Sequence, residues 1–142
     1  LGADYLEIGG QDAGATLDQK AESGSYYATY AIGPATIGYS KSFLATKMTE
    51  ATTNFLESLE ATKMSIAFNV NDNLSISYEQ EESAPTLKTS STAVFDIEST
   101  GIQAAYTMGG MTLAIAMNDH ENARYTENQD VKDTTFSVAM AF

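Results

Sequence analysis

The 142-residue chain has no cysteine and no tryptophan, a single histidine and two prolines. Without cysteine there is no disulfide framework, no CxxC metal site and no thiol nucleophile, although such a composition is compatible with an oxidising exterior or periplasm. Basic residues are scarce: seven Lys plus Arg face 19 Asp plus Glu, a net charge of -12. That balance argues against binding nucleic acid or an anionic membrane surface through a basic patch. No apolar run approaches the roughly 18 residues of a membrane helix, and the mean hydropathy is negative. Neither absence bears on strands that cross a membrane, because alternate residues cancel in any sliding window. The start, LGADYLEIGG, has neither a basic region nor an apolar core of a secretory signal, so any such signal is expected to have been removed or to lie outside the sequence. By length the chain is one domain, 1-142.

What the chain does have is alternation. Its last nine residues, TTFSVAMAF, place Phe136, Val138, Met140 and Phe142 on one phase and Thr135, Ser137, Ala139 and Ala141 on the other. That is a β-strand with one apolar and one small, mildly polar face. The same reading predicts a short strand at Ala3 to Gly9, then a loop at Gly10 to Gly24 by composition. A hairpin follows, Ser25 to Gly33 and Thr36 to Leu44 around a Gly-Pro-Ala turn, with Lys41 as a charged exception on the apolar phase. Ala45 to Thr62 reads as an irregular loop or strand extension, with a short helical turn around Phe55, Leu56 and Leu59 as the alternative. A second hairpin pairs Lys63 to Val70 with Leu74 to Glu82 around Asn71 to Asn73, and Glu82 to Ser91, with Pro85, reads as loop. In Ala93 to Met108 the apolar phase slips near Gly101, from Phe95 and Ile97 to Ile102, Ala104, Tyr106 and Met108, which predicts a bulge. The third hairpin turns at Gly109-Gly110 into Met111 to Asn118, and Asp119 to Asp133 reads as an acidic loop.

About eight strands are thus joined alternately by very short turns and long polar loops. In an up-and-down meander all short turns fall at one end and all long loops at the other. On the apolar phase, Tyr26, Phe43, Tyr78 and Phe136 fall toward the long-loop end, Phe68, Tyr106 and Phe142 toward the short-turn end, and aliphatic residues lie between. Two aromatic girdles around an apolar band are the expectation for a transmembrane barrel.

The terminal strand, ending on Phe142 with Phe136, Val138 and Met140 in phase, resembles the last strand of bacterial outer-membrane β-barrel proteins, whose terminal aromatic is read by the insertion machinery. With GIQAAYTMGGMTLAIAMND (Gly101 to Asp119) and its acidic character, the chain resembles the C-terminal part of a general porin of the alphaproteobacterial type. The resemblance implies a bacterial outer-membrane location, a homotrimer and a water-filled channel passing ions and small hydrophilic solutes by passive diffusion. Such porins have about twice this many strands and a constriction loop faced by arginines. This chain has no obvious candidate for that loop, and its only arginine is Arg124.

The inward phase is mostly small: Thr29, Ala31, Ser65, Ala67, Ser75, Ser77, Ala105, Thr112, Ala114, Ala116 and Ser137 among others. An eight-stranded barrel is just filled by its own side chains, so these residues would leave voids that close packing disfavours. Unpaired edges in lipid cost several kcal/mol per group. The expected architecture is therefore about the C-terminal half of a roughly 16-stranded barrel, closed by N-terminal strands or by a partner chain pairing edge to edge. Asn69, Glu79, Gln103 and Asn118 are the inward polar groups expected to line the lumen and tilt selectivity toward cations. Loop carboxylates, Asp119, Glu121, Asp130 and Asp133, are candidates for weak calcium binding that would bridge loops or lipopolysaccharide phosphates. His120, between Asp119 and Glu121, is expected to be a solvated loop side chain. The acidic pairs Glu81-Glu82 and Asp96 with Glu98 have no accompanying nucleophile motif or Gly-rich pocket, so no enzyme activity and no other cofactor is expected. The alternative function is a complete eight-stranded outer-membrane barrel with a structural or adhesion role. A soluble secreted sandwich is the third reading.

Overall fold

Residues that alternate in polarity can satisfy both faces of an extended chain only by pairing side by side, and the computed structural model resolves that pairing. It describes residues 1–8, 17–49, 55–88 and 93–141. The strands are β1 (Gly2–Ile8), β2 (Leu17–Gln19), β3 (Ala21–Ile32), β4 (Ala35–Ala45), β5 (Met48–Thr49), β6 (Phe55–Asn69), β7 (Leu74–Lys88), β8 (Ile97–Met108), β9 (Met111–Glu121) and β10 (Val131–Met140). The fold is all-β: eight strands form one antiparallel sheet in the order β1-β3-β4-β6-β7-β8-β9-β10. Every neighbour in the sheet is the next long strand in the chain, so the topology is an up-and-down meander. The sheet is not closed: among the described residues, β1 and β10 each pair on one side only.

Three tight turns gather at one end. Gly33 and Gly109 adopt φ of +56° and +59°, a conformation that only glycine enters without a Cβ penalty. The third turn is built by a side chain instead: Asn71 Oδ1 accepts from the backbone N–H groups of Asn73 and Leu74 at 2.9 and 3.0 Å, an Asx turn.

At the other end the strands run further than their sequence suggests. β6 begins at Phe55 and β7 continues to Lys88 through Pro85, so Phe55 to Thr62 is the strand extension, one of the two readings of that segment, and most of Glu82 to Ser91, read as loop, is strand. Pro85 pairs by position with Leu59, within a stretch of β7 that lies beyond the β7–β8 ladder ending at Ser83 and Ile97. There its missing N–H faces no partner strand. Beyond the end of the β3–β4 ladder, β2 and β5 form a two-stranded sheet of their own. Gln19 Nε2 ties it to β6 by donating to the carbonyls of Thr46 and Glu57, both at 2.8 Å. The β6–β7 register shifts between Leu56 and Ser58, and this is where the bulge lies, with the Glu57 carbonyl turned to Gln19 Nε2 and to the Thr46 N–H at 3.1 Å.

No bulge occurs at Gly101. β8 stays in register with β7 from Leu74↔Tyr106 to Ser83↔Ile97, and with β9 from Met108↔Met111 to Glu98↔Glu121. The slip in the sequence has another cause: in an unbroken strand, Ile97 and Ile102 face opposite sides. The polarity of the two faces inverts along the strand, and the same inversion recurs across the sheet.

Register makes the inversion visible. One pairing row joins Phe68, Ile76, Ala104, Ile115 and Phe136; the next joins Tyr30, Ile37, Ile66, Tyr78, Ile102 and Met117. These form an apolar band on one face. Further toward the long-loop end the same face carries Glu7, Glu22, Glu60, Glu82, Glu98 and Glu121, while the opposite face carries Leu6, Leu44, Leu59, Pro85 and Ile97. The band's upper limit is not parallel to the pairing rows. On β9 it stops at Met117, below Asp119, whereas on β4 and β1 it reaches Phe43 and Tyr5, two or more rows higher. A level slab cutting strands that tilt produces this drift, because pairing rows then climb relative to the slab.

Candidate functional site: a charged belt on the polar face

Opposite the apolar band, small side chains leave the sheet surface open. Asn69, Ser75, Ala105 and Thr107 border a hollow of about 410 Å³ at the short-turn end, together with Pro34 and the Asn71–Asn73 turn. A second hollow of about 360 Å³ runs over Ala67, Ser77, Gln103, Ala114, Ala116, Thr135 and Ser137. Two residues expected to line a lumen, Asn69 and Gln103, border these hollows.

Above the hollows lie two adjacent rows that hold nearly all the charge of this face. One row runs Ser65, Glu79, Gly101, Asn118, Asp133; the next runs Lys63, Glu81, Ser99, His120. Strand alternation alone brings them together, each residue being two positions from its neighbour on the same strand. Lys63 Nζ lies 3.1 Å from Glu79 Oε2 and 3.7 Å from Glu81 Oε2. Asn118 Nδ2 donates to Asp133 Oδ2 at 3.0 Å. The His120 ring spans three strands, with Nδ1 2.8 Å from Ser99 Oγ and Nε2 3.7 Å from Asp133 Oδ1. Gly101 makes the belt fit: a Cβ there would come within 3.1 Å of both Asn118 Oδ1 and Glu79 Cγ. Three carboxylates thus face one ammonium and one imidazole, on a surface otherwise lined mostly by Ser, Thr, Ala and Asn, with Gln103 and Tyr27.

Glu79 and Asn118 were expected on this face and share a row. Lys63, Glu81, His120 and Asp133 were not assigned to it, and the signal for them was the same alternation carried one step further: each is two residues beyond a member already in phase. His120 is not a loop side chain; it lies in β9, on the face opposite Asp119 and Glu121. Glu81 and Glu82 likewise occupy opposite faces, and Asp96 precedes β8. Ser99, His120 and Asp133 sit on strands whose ladders are continuous. Backbone N–H groups of β8 and β9 there are engaged with neighbouring strands, whereas the outer edge of β10 is unpaired.

The four carboxylates expected to bind calcium do not form one cluster. Asp119 and Glu121 end β9 on the apolar-band face, Asp133 lies in β10 on the opposite face, and Asp130 accepts from the Asn122 backbone N–H at 3.2 Å. Among the described residues no group of three or more His, Cys, Asp or Glu side chains is placed to hold a metal ion. Asp119 is instead bound by Lys132 Nζ at 2.5 Å.

Of the terminal pattern, Phe136, Val138 and Met140 pair with Ile115, Leu113 and Met111 and are 68%, 50% and 61% exposed on the apolar face. Phe142 lies outside the described residues. Lys41, the charge on the apolar phase, meets Glu60 Oε2 at 2.7 Å at the upper margin of the band, where Tyr26 and Tyr39 pack with ring centroids 6.2 Å apart. No family model matches the chain, and neither a curated protein nor a solved structure matches it.

Proposed function

We propose that this chain forms part of the wall of a bacterial outer-membrane channel, a porin through which ions and small hydrophilic solutes diffuse without a catalytic step. The observation that carries the reading is the oblique apolar band, exposed along its whole length, backed by a small polar face. In water, a contiguous apolar surface of this extent, with Phe136 and Tyr30 each 68% exposed, would drive association. Against lipid it is the matching surface, and its drift across the pairing rows follows from tilted strands in a flat bilayer.

The unpaired edges support the rest of the assembly. Within hydrocarbon each unsatisfied backbone group of β1 and β10 costs several kcal/mol, so further strands or a partner chain close the barrel. Because eight strands alternate in direction, β1 and β10 run antiparallel to each other, and either closure keeps the meander intact. Below the belt, a closed eight-stranded barrel would have to fill its interior mostly with Ala, Ser, Thr, Asn and Gly, which is too little volume for close packing. A wide wet lumen suits these residues, and the belt of Glu79, Glu81 and Asp133 tilts its passage toward cations. Outer-membrane lipid and lipopolysaccharide are the surroundings the reading implies, with a homotrimer as the assembly.

Single-channel recording in a planar lipid bilayer tests this, using protein extracted from its native membrane in mild detergent. Steady steps that scale with salt concentration are expected. A silent bilayer from a stable, heat-modifiable barrel would overturn the channel and favour the structural or adhesive role.

A further inference from the structure

The connection between β9 and β10 is built unlike the three tight turns. All four non-glycine residues with positive φ among the described residues lie in it: Asn122 (54°), Arg124 (60°), Tyr125 (58°) and Asn128 (58°). Asn tolerates this region, whereas Arg and Tyr enter it only when contacts hold them there. The other turns solve the same problem with glycine or an Asx turn, so a connection that merely joined two strands would not need the strain.

The contacts that hold it are specific. The Asn122 side chain accepts from the Asn128 N–H at 3.1 Å and donates to the Asp96 carbonyl at 3.1 Å. The Ala123 N–H donates to the Gln129 carbonyl at 2.6 Å, and the Phe95 N–H donates to the Tyr125 carbonyl at 3.4 Å. The connection is thereby fastened to the segment entering β8. Its furthest contact reaches one strand beyond: the Tyr125 hydroxyl lies 3.1 Å from Ser83 Oγ. Ser83 belongs to β7, two residues above Glu81 on the polar face. The Tyr125 residue thus links the end of β9 to the polar face of β7 while its carbonyl is held by the segment entering β8.

We propose that this connection is a fixed strap across the long-loop mouth of the passage, and that the Tyr125–Ser83 contact holds it inward so that it sets the size of solute admitted. The proposal rests on the channel reading. It supplies, from a different part of the chain, a constricting element that the sequence did not reveal. Tyr125 and Ser83 are positioning residues; they need not touch the solute.

The test uses full-length protein in its native assembly, with wild type, Tyr125→Phe, Ser83→Ala and the double variant recorded in the same bilayer. Polyethylene glycols of graded size serve as exclusion probes, and heat-modifiability reports the folded barrel. Both single variants are expected to raise conductance and admit larger polymers, and the double variant to go no further than either, since both remove one contact. Unchanged conductance and cut-off in folded variants beside a conducting wild type would overturn the strap and leave the channel reading standing. A wild type that passes no current would overturn the channel reading and the strap with it.

Discussion

The short-turn and long-loop halves of the sheet are made of the same strands, yet their faces carry opposite polarity. In the short-turn half, Ile66, Ile76, Ile102 and Ile115 cover one face and Ser, Thr and Ala the other. In the long-loop half, the first face turns acidic with Glu60, Glu82, Glu98 and Glu121, while Leu44, Leu59, Pro85 and Ile97 appear on the second. A strand keeps its hydrogen bonds through such a change because the ladder does not depend on side-chain polarity. On the proposed channel reading what changes is the surrounding medium: the inversion marks the level at which one face would pass from lipid to water. Amphipathicity is therefore a property of a position in the sheet and not of a whole strand.

The largest effect that would break this comparison is a charge placed in the band. Ile102→Arg is expected to cost about 2–4 kcal/mol of folding stability in lipid vesicles, whereas Ile97→Arg, five residues away in the same strand, should cost about 1 kcal/mol. Denaturant titration of both variants measures the difference, and equal losses would mean that one medium surrounds both halves.

A smaller effect is expected at the boundary between the hollows and the belt. Gly101→Val inserts a side chain between Glu79 and Asn118 and should cost about 1–3 kcal/mol by overpacking, visible in the same titration. A loss near zero would show that the belt's close approach is not required.

Next comes the charge of the belt. Glu79→Gln should lower the cation preference a few-fold, the scale set by about 1 kcal/mol between unit charges 4 Å apart in water. Lys63→Met should raise it. Reversal potentials across a salt gradient read both, and no change in either variant would place the belt outside the ion path.

The smallest effect is at the outer rim of the long-loop half. The Lys20 ammonium, hydrogen-bonded to Glu7 at 2.7 Å, holds the Glu7 carboxyl below its ordinary value and is itself raised by that bond. A carboxylate lowered on folding adds stability that is fully present above its unfolded value and is lost as pH falls through its lower folded value. Melting temperature should therefore show a slight acid-side decline in that window, removed in Glu7→Gln. Both groups are well exposed, so the change should also fade at high salt.

Much of the fold was legible because period-two alternation is a strong local signal: the three hairpins turn at Gly33, Asn71 and Gly109 as the sequence indicates. The strand ends were less so. Once the inversion begins, apolar residues fall on the second phase, and a strand such as β6 above Lys63 reads equally as irregular loop or as strand extension. The same inversion at Ile97 and Ile102 imitated a bulge, while the real bulge at Glu57 left no trace in a Thr- and Glu-rich stretch. In the belt, Glu79 and Asn118 were found because they lie inside clean alternation. His120 and Asp133 were missed because they sit where acidic residues on both faces blur it.

By itself the sequence determined that the chain is extended, that it turns tightly at one end only, and that one face of its strands is apolar over a limited height. Those are consequences of side-chain order along a chain whose residues alternate sides, and they need no partner strand to be read. Which residues sit beside which was decided by register alone. Pairing across strands brought Lys63 to Glu79 and Glu81, set His120 between Ser99 and Asp133, and aligned the apolar band obliquely to the rows. It also carried Tyr125 across to Ser83. Such neighbours lie between 13 and 42 residues apart in the chain, and no local pattern encodes a contact between strands that meet only when the sheet forms.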